Sequence, residues 1–324
     1  MTTTSQRAAG TALEIVATDD ASTAEHFRAA GACPVECAFG PVSVVDELRM
    51  DHHGDLADLE PVALRAWRDH HGARREDPWF VVAGTVDADA AFAIAALAGL
   101  VPGPDDEGNE RAAQLVDLIA LLDIDPIGRD LTAQPAGGLL RLWSSLAGPA
   151  TPEDNLAAVL AWRSLCLRDQ QALAPYVEVA EEQERRRRRR AADDAERCRV
   201  LDDLDPRVLV LDGTTTWGFD VWYGRRPDQP SDQPAGWSHP VVLARSGRGQ
   251  VTVGCPNGEV ATALFGAGGL AAVFPKLAPP GWGGRPTVGG APRGHETTSA
   301  ELRTAAQVIA GCLRPEEGSA QPDP

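Results

Sequence analysis

The chain is short of positive charge. Of its 324 residues, 47 are acidic and 30 are basic, a formal net charge of −17. Gripping long duplex nucleic acid depends on neutralising many phosphates, so that class of partner is not expected. Lysine is nearly missing: Lys276 stands against 29 arginines, a bias that reads as codon usage rather than function. Long hydrophobic runs are missing too. The longest, Ala90 to Pro102, is too short to cross a bilayer, and the polar N-terminus carries no signal-peptide pattern. Six scattered cysteines make no disulfide framework, and Cys33 and Cys37 have no second Cys/His pair at zinc-finger spacing. The expectation is a cytoplasmic protein with buried thiols and no membrane partner.

What is present suits two domains. Residues 1–10 read as a loose tail. Leu13–Ala17 reads as a strand, Ser22–Ala30 as a helix ended by Gly31, and Val35–Phe39 and Val42–Val45 as short extended pieces. Helix Pro61–Arg68, apolar strand Trp79–Gly84 and helix Ala91–Leu100 follow, then helices Ala112–Leu122 and Leu139–Leu146. From Pro152 to about Leu201 the pattern is helical and charged. Glu181, Glu182 and Glu184 precede the run Arg185 to Arg190, and Asp193 and Asp194 follow it. Acid on both sides favours ion pairing along one helix over a nucleic-acid stripe.

After Pro206 come strand-like stretches at Val208–Leu211, Gly218–Tyr223, Pro240–Ala244 and Gln250–Gly254, with a Pro/Asp/Gln-rich mobile loop at Pro227–Trp237. Helices are expected at Glu259–Phe265, Leu270–Phe274 and Ser299–Leu313. The fold class expected is α/β: an N-terminal domain with a parallel-sheet core (11–150) and a smaller mixed α+β C-terminal domain (205–314). A charged helical linker (151–204) joins them, and a disordered tail (315–324) ends the chain.

Three patterns carry chemistry. Asp51-His52-His53-Gly54 puts a carboxylate beside two imidazoles, a set suited to a divalent metal. On an extended segment His52 and His53 point to opposite sides, so one can ligate metal while the other either supports that ligand or faces substrate. Asp87-Ala88-Asp89 follows a strand and precedes a helix, so both carboxylates belong near the carboxyl edge of a sheet. The third is Gly281 to Gly294, which includes Gly283, Gly284, Arg285, Gly289, Gly290 and Arg293. It is a backbone-rich loop with two arginines, suited to a phosphate. A second Asp-His-His-Gly, Asp69 to Gly72, reads as a helix end. Asp123 and Asp125 are outside candidates explained as well by a helix end before Pro126, and Thr214, Thr215 and Thr216 read as a turn.

Together these motifs resemble the DHH phosphoesterase superfamily, with a DHHA1-like C-terminal domain. The resemblance covers most of the chain in layout and about thirty residues in motif. It implies two ions, Mn2+ or Mg2+, held or oriented by Asp46, Asp51, His52, His53, Asp87 and Asp89. His52 and His53 serve in catalysis. Gly283, Gly284, Arg285, Gly289, Gly290 and Arg293 bind substrate. The implied activity is metal-dependent hydrolysis of a phosphodiester or phosphoanhydride in a small nucleotide or short oligonucleotide, and a homodimer is compatible with it. The segment Thr18 to His26 departs from the family's first motif, a His followed by two aspartates. This leaves open a degenerate member that binds a nucleotide, a phosphate ligand or a protein partner without hydrolysis.

Overall fold

Two short apolar runs, Glu14–Thr18 and Trp79–Ala83, lie side by side as parallel strands and form the centre of the first sheet. The computed structural model describes residues 3–7, 12–39, 42–53, 56, 59–148, 151–201, 203–292 and 295–315. The chain divides into two units: residues 1–124 with 131–182, and residues 125–130 with 183–324. The architecture is mixed α/β.

Unit 1 contains β1 (Thr3–Arg7), β2 (Glu14–Thr18), α1 (Ala21–Ala29), β3 (Cys33–Pro34), β4 (Ala38–Phe39), β5 (Val42–Ser43), α2 (Val62–Asp69) and β6 (Trp79–Ala83). It continues with α3 (Ala88–Leu97), α4 (Glu110–Ile124), α5 (Gly137–Ala147), α6 (Asn155–Leu167) and the first half of α7 (Gln170–Arg197). Its sheet has the order β1-β2-β6-β3, with β2, β6 and β3 parallel and β1 antiparallel at one edge. The two central strands are almost wholly buried, which suits their unbroken apolar sequence. The carboxyl ends of β2, β6 and β3 lead directly to Asp19, to Gly84–Asp87 and to Glu36. Acidic side chains therefore gather at one sheet edge, the place where open α/β sheets bind ligands.

Helix α3 is apolar all round because it lies inside the unit, with every residue from Asp89 to Leu97 buried. Its Phe92 meets Trp162 of α6 edge-on at 5.4 Å, and Trp162 stacks on Trp143 of α5 at 4.8 Å. Each such pair is worth about 1 kcal/mol beyond the area it buries.

The N-terminus differs from expectation. Residues 3–7 are a paired strand, in register from Thr3 opposite Thr18 to Arg7 opposite Glu14. The edge of β2 offers them a ladder, and Gln6 Oε1 accepts the Leu156 amide at 3.0 Å. Residues 8–10 of the expected tail lie outside the described residues.

Unit 2 holds the rest of α7, then β7 (Arg199–Val200), β8 (Val208–Thr214), α8 (Phe219–Trp222), β9 (Val241–Ser246) and β10 (Val251–Gly254). It ends with α9 (Gly258–Phe265), β11 (Gly283–Gly284), β12 (Val288–Gly290) and α10 (Ser299–Ala310). Its sheet has the order β11-β12-β10-β9-β8-β7, and β8 with β9 is its parallel pair.

Four expectations are corrected here. Gly218–Tyr223 is helical, not extended: Phe219, Trp222 and Tyr223 are buried at i, i+3 and i+4 spacing. Pro227–Trp237 is anchored by buried Trp237, whose Nε1 donates to Ser231 O at 3.0 Å under the Arg225 guanidinium. Leu270–Phe274 forms short 3-10 turns, Gly269–Ala272 and Phe274–Lys276, because Pro275 cannot continue an α-helix. Within the glycine-rich run, expected as a loop, residues 283–290 form the β11–β12 hairpin.

The charged helix pairs along its own surface. Glu184 takes Arg187 and Arg188 at 2.8 Å, while Asp220 also takes Arg187 and Asp130 also takes Arg188. The division between units falls within this helix, so α6, expected in a linker, belongs to unit 1. Among the described residues no helix is long and apolar enough to cross a membrane, and all six cysteines are free thiols. Residues 316–324 lie outside the described residues.

Candidate metal centre

The site begins where β3 ends. Val35 continues the strand by donating to Val81 O at 3.0 Å. Glu36 then turns into the left-handed region at φ 47 and donates its amide to Met50 O at 2.8 Å. That conformation costs a non-glycine residue on the order of 1–3 kcal/mol and persists only where the surroundings impose it. The crossing lays Glu36 beside the segment that carries Asp51.

Arg65 of α2 fixes that segment. Its guanidinium donates to Glu60 O at 2.9 Å, Arg49 O at 3.0 Å and Asp51 O at 2.9 Å, so its charge is spent on backbone. Asp51 is fully buried, and its Oδ1 accepts both the His53 amide and His53 Nδ1 at 2.9 Å. This closed turn is why the two imidazoles do not diverge as expected of a strand. Their rings meet edge-on, 4.8 Å between centroids. Burial pushes the Asp51 carboxyl up, but the His53 hydrogen bonds outweigh it and hold the group below its usual range. Gly54 lies outside the described residues.

His52 is buried among carboxylates. Its Nε2 is 3.0 Å from Glu36 Oε1 and 3.9 Å from Asp89 Oδ2, and its Nδ1 is 3.4 Å from Asp123 Oδ2. His53 is 43 % exposed. Asp89 reaches the cluster from the first turn of α3, while Asp87 caps that helix by accepting the Ala90 amide at 3.0 Å. Asp89 also accepts the Val62 and Ala63 amides at 2.8 and 3.0 Å, supplying the cap that Pro61 cannot give α2.

The electrostatics are those of an acidic cluster. Burial pushes the Glu36 carboxyl well up, and the charges of Asp87, Asp89, Asp123 and Asp51 push it further. Burial raises Asp89 to about 7, with the two amides pulling down and Asp123 and Asp87 pushing up. Two donor sets share His52: Glu36 with His52 and His53, and His52 with Asp89 and Asp123. In each the donor atoms lie within 4.8 Å of one another. Crowded carboxylates whose ionisation is opposed by burial and by one another are what a bound cation would relieve. With imidazole as a further donor, the set could hold a divalent cation.

Asp51, His52, His53, Asp87 and Asp89 thus gather in one region, though Asp51 orients His53 and Asp87 acts through its charge. Asp46 lies elsewhere: it pairs with Arg74 at 2.7 Å, caps the Leu48 amide and joins neither donor set. Glu36 was missed from the sequence. The available signal was an acid between two cysteines in an apolar run, Val35-Glu36-Cys37. Asp123, left as an outside candidate, stands against His52, whereas Asp125 belongs to unit 2 and pairs with Arg129. Asp69 to Gly72 is the helix end it was expected to be, with His70 at the C-cap, Gly72 at φ 71 and His71 turned to Val101 O. Thr215 fastens Asp194 through its amide and hydroxyl.

In unit 2 the glycines of the hairpin answer to packing. A Cβ on Gly289 would come within 2.1 Å of Phe274 Cζ, and one on Gly284, at φ 149, within 2.3 Å of Val288 O. Gly290 sits with Gly289 on β12, which has a paired neighbour on each side, and Gly283 borders open space. The Arg285 amide donates to Val288 O at 2.7 Å. Arg293 lies outside the described residues. Comparison with protein-family models, with curated proteins and with solved structures found no match to this chain.

Proposed function

We propose that unit 1 is a divalent-metal-dependent phosphohydrolase, acting on a phosphodiester or phosphoanhydride of a small nucleotide or short oligonucleotide. The observation that carries this reading is His52, buried with three carboxylates around its two nitrogens at the carboxyl edge of the sheet. Glu36, His52, His53, Asp89 and Asp123 would hold Mn2+ or Mg2+. Once bound, such an ion polarises a phosphoryl oxygen and lowers the pKa of water. The substrate class comes from the likeness of the motifs to DHH phosphoesterases.

The chain's own residues have separable tasks. Asp51 accepts from His53 Nδ1, which fixes the orientation of the ring. Arg65 keeps the motif's backbone in place. Asp87 is exposed at the end of the β6–α3 turn, where it can orient water or substrate.

A second reading is a protein that binds metal and a phosphate ligand without turnover. It is favoured by the segment Thr18 to His26, which departs from the family's first metal motif, a His followed by two aspartates. The deciding experiment is Mn2+-stimulated hydrolysis of bis(4-nitrophenyl) phosphate, pyrophosphate and short oligonucleotides, in wild type and in His52→Ala. Turnover lost in the variant supports the hydrolase. Mn2+ binding with no turnover across the panel leaves the second reading.

A further inference from the structure

Unit 1 has a partly enclosed cavity of about 130 Å³ between the β6–α3 turn, α5 and the start of α6. Thr85 and Val86 form its wall on the sheet side. Asp87, whose charge acts on Glu36, is two residues from Thr85, at most about 7 Å of extended chain. The wall is built: Asn155, 1 % exposed, accepts the Val86 amide and donates to Gly84 O, both at 3.0 Å. The cavity wall therefore keeps a fixed place at the carboxyl end of β6, in the turn that also carries Asp87.

Its lining selects a chemistry. The surface is mostly apolar and includes Trp143, held flat against Trp162 at 4.8 Å and 7°. The volume is close to the roughly 150 Å³ of an apolar protein cavity that binds benzene. Several polar groups have already committed their protons. Ser144 Oγ donates to Leu140 O at 3.3 Å, Thr151 Oγ1 to Asp154 Oδ2 at 2.6 Å and Trp143 Nε1 to Ala158 O at 2.9 Å. What the Ser144 and Thr151 hydroxyls then offer a guest is lone pairs, and Asp154 adds a carboxylate that repels a second anion.

We propose that this cavity is a subsite for one neutral aromatic ring bearing an N–H donor, and that the ring is the non-reacting end of the phosphorylated substrate. The link to substrate rests on the phosphohydrolase reading; the ring site itself does not.

The test uses the full chain in EDTA at pH 8, with aniline and benzoate as probes. The Trp143 indole NMR signal, identified through Trp143→Phe, reports occupancy. Aniline is expected to shift it saturably and benzoate not, and Ala147→Leu to weaken aniline at least tenfold. Ser144→Leu, at an exposed position that tolerates the change, is expected to act in the same direction. Equal response to both probes, or wild-type aniline binding in both variants, overturns the ring site.

With Mn2+ present, Ala147→Leu should raise KM at least tenfold more for the diester methyl 4-aminophenyl phosphate than for dimethyl phosphate. Equal effects overturn the link to substrate while the hydrolase stands. Aniline binding with no turnover of either diester, of pyrophosphate or of short oligonucleotides removes the hydrolase reading and the link, and leaves the ring site.

Discussion

Asp89 Oδ2 accepts the Val62 amide at 2.8 Å, so a carboxylate of the acidic cluster is also the missing N-cap of a helix that begins 27 residues earlier in the chain. The two roles separate by substitution. Asp89→Ala removes both acceptors and should cost about 1–2 kcal/mol, the range for a lost cap. Asp89→Asn keeps one acceptor and should cost less, yet both variants should lose Mn2+ binding at micromolar concentration. Urea unfolding in EDTA measures the first effect and titration calorimetry the second. Equal stability losses would remove the capping role.

Glu36 should make the metal-free protein less stable as pH rises. Its folded-state carboxyl is raised by burial and by four neighbouring carboxylates, so the native state holds a proton that the unfolded chain releases. Such a group stabilises fully below its unfolded pKa and loses that contribution as pH climbs through the folded value. Asp89, raised to about 7, moves in the same direction. Glu36→Gln in EDTA should therefore melt higher than wild type at pH 8, with the difference closing toward pH 5. A difference that is constant with pH would mean Glu36 ionises freely.

Metal reverses that order. An ion that binds the folded state alone stabilises by mass action, about 2.7 kcal/mol at a hundredfold excess over Kd. Wild type should thus gain Tm with Mn2+ at pH 8, and His52→Ala and Glu36→Gln should gain little. Asp51→Asn should bind about tenfold more weakly rather than not at all, because Asp51 orients His53 instead of completing a donor set. If Asp51→Asn abolishes binding outright, Asp51 belongs to the inner ligands.

How much of this was legible depends on how local each cause is. Strands such as Trp79–Ala83 and helices such as Val62–Asp69 follow from apolar runs and punctuation, and the sequence places them within a few residues. Asp51, His52 and Asp89 stand out as motif letters. Glu36 could not, because its role comes from a left-handed turn and an amide bond to Met50. Asp123 needed helix α4 packed against α2 to become a neighbour of His52. Gly218–Tyr223 misled because aromatic residues favour strands, while here their i, i+3, i+4 spacing prevails.

The hairpin glycines offer a test in which stability and binding part company. Gly289→Ala would place a methyl 2.1 Å from the Phe274 ring and 2.6 Å from Gly283 O, so ring and strand must both move. Overpacking of this kind typically costs about 1–3 kcal/mol. Gly283 has nothing within 4 Å of its added Cβ, and Gly283→Ala should change stability by less than about 0.5 kcal/mol. If the exposed Gly283–Gly284 edge contacts phosphate, Gly283→Ala should raise KM for bis(4-nitrophenyl) phosphate severalfold at unchanged Tm. Unchanged KM in a fully stable Gly283→Ala would confine the glycines to packing, and phosphate recognition would have to come from other residues.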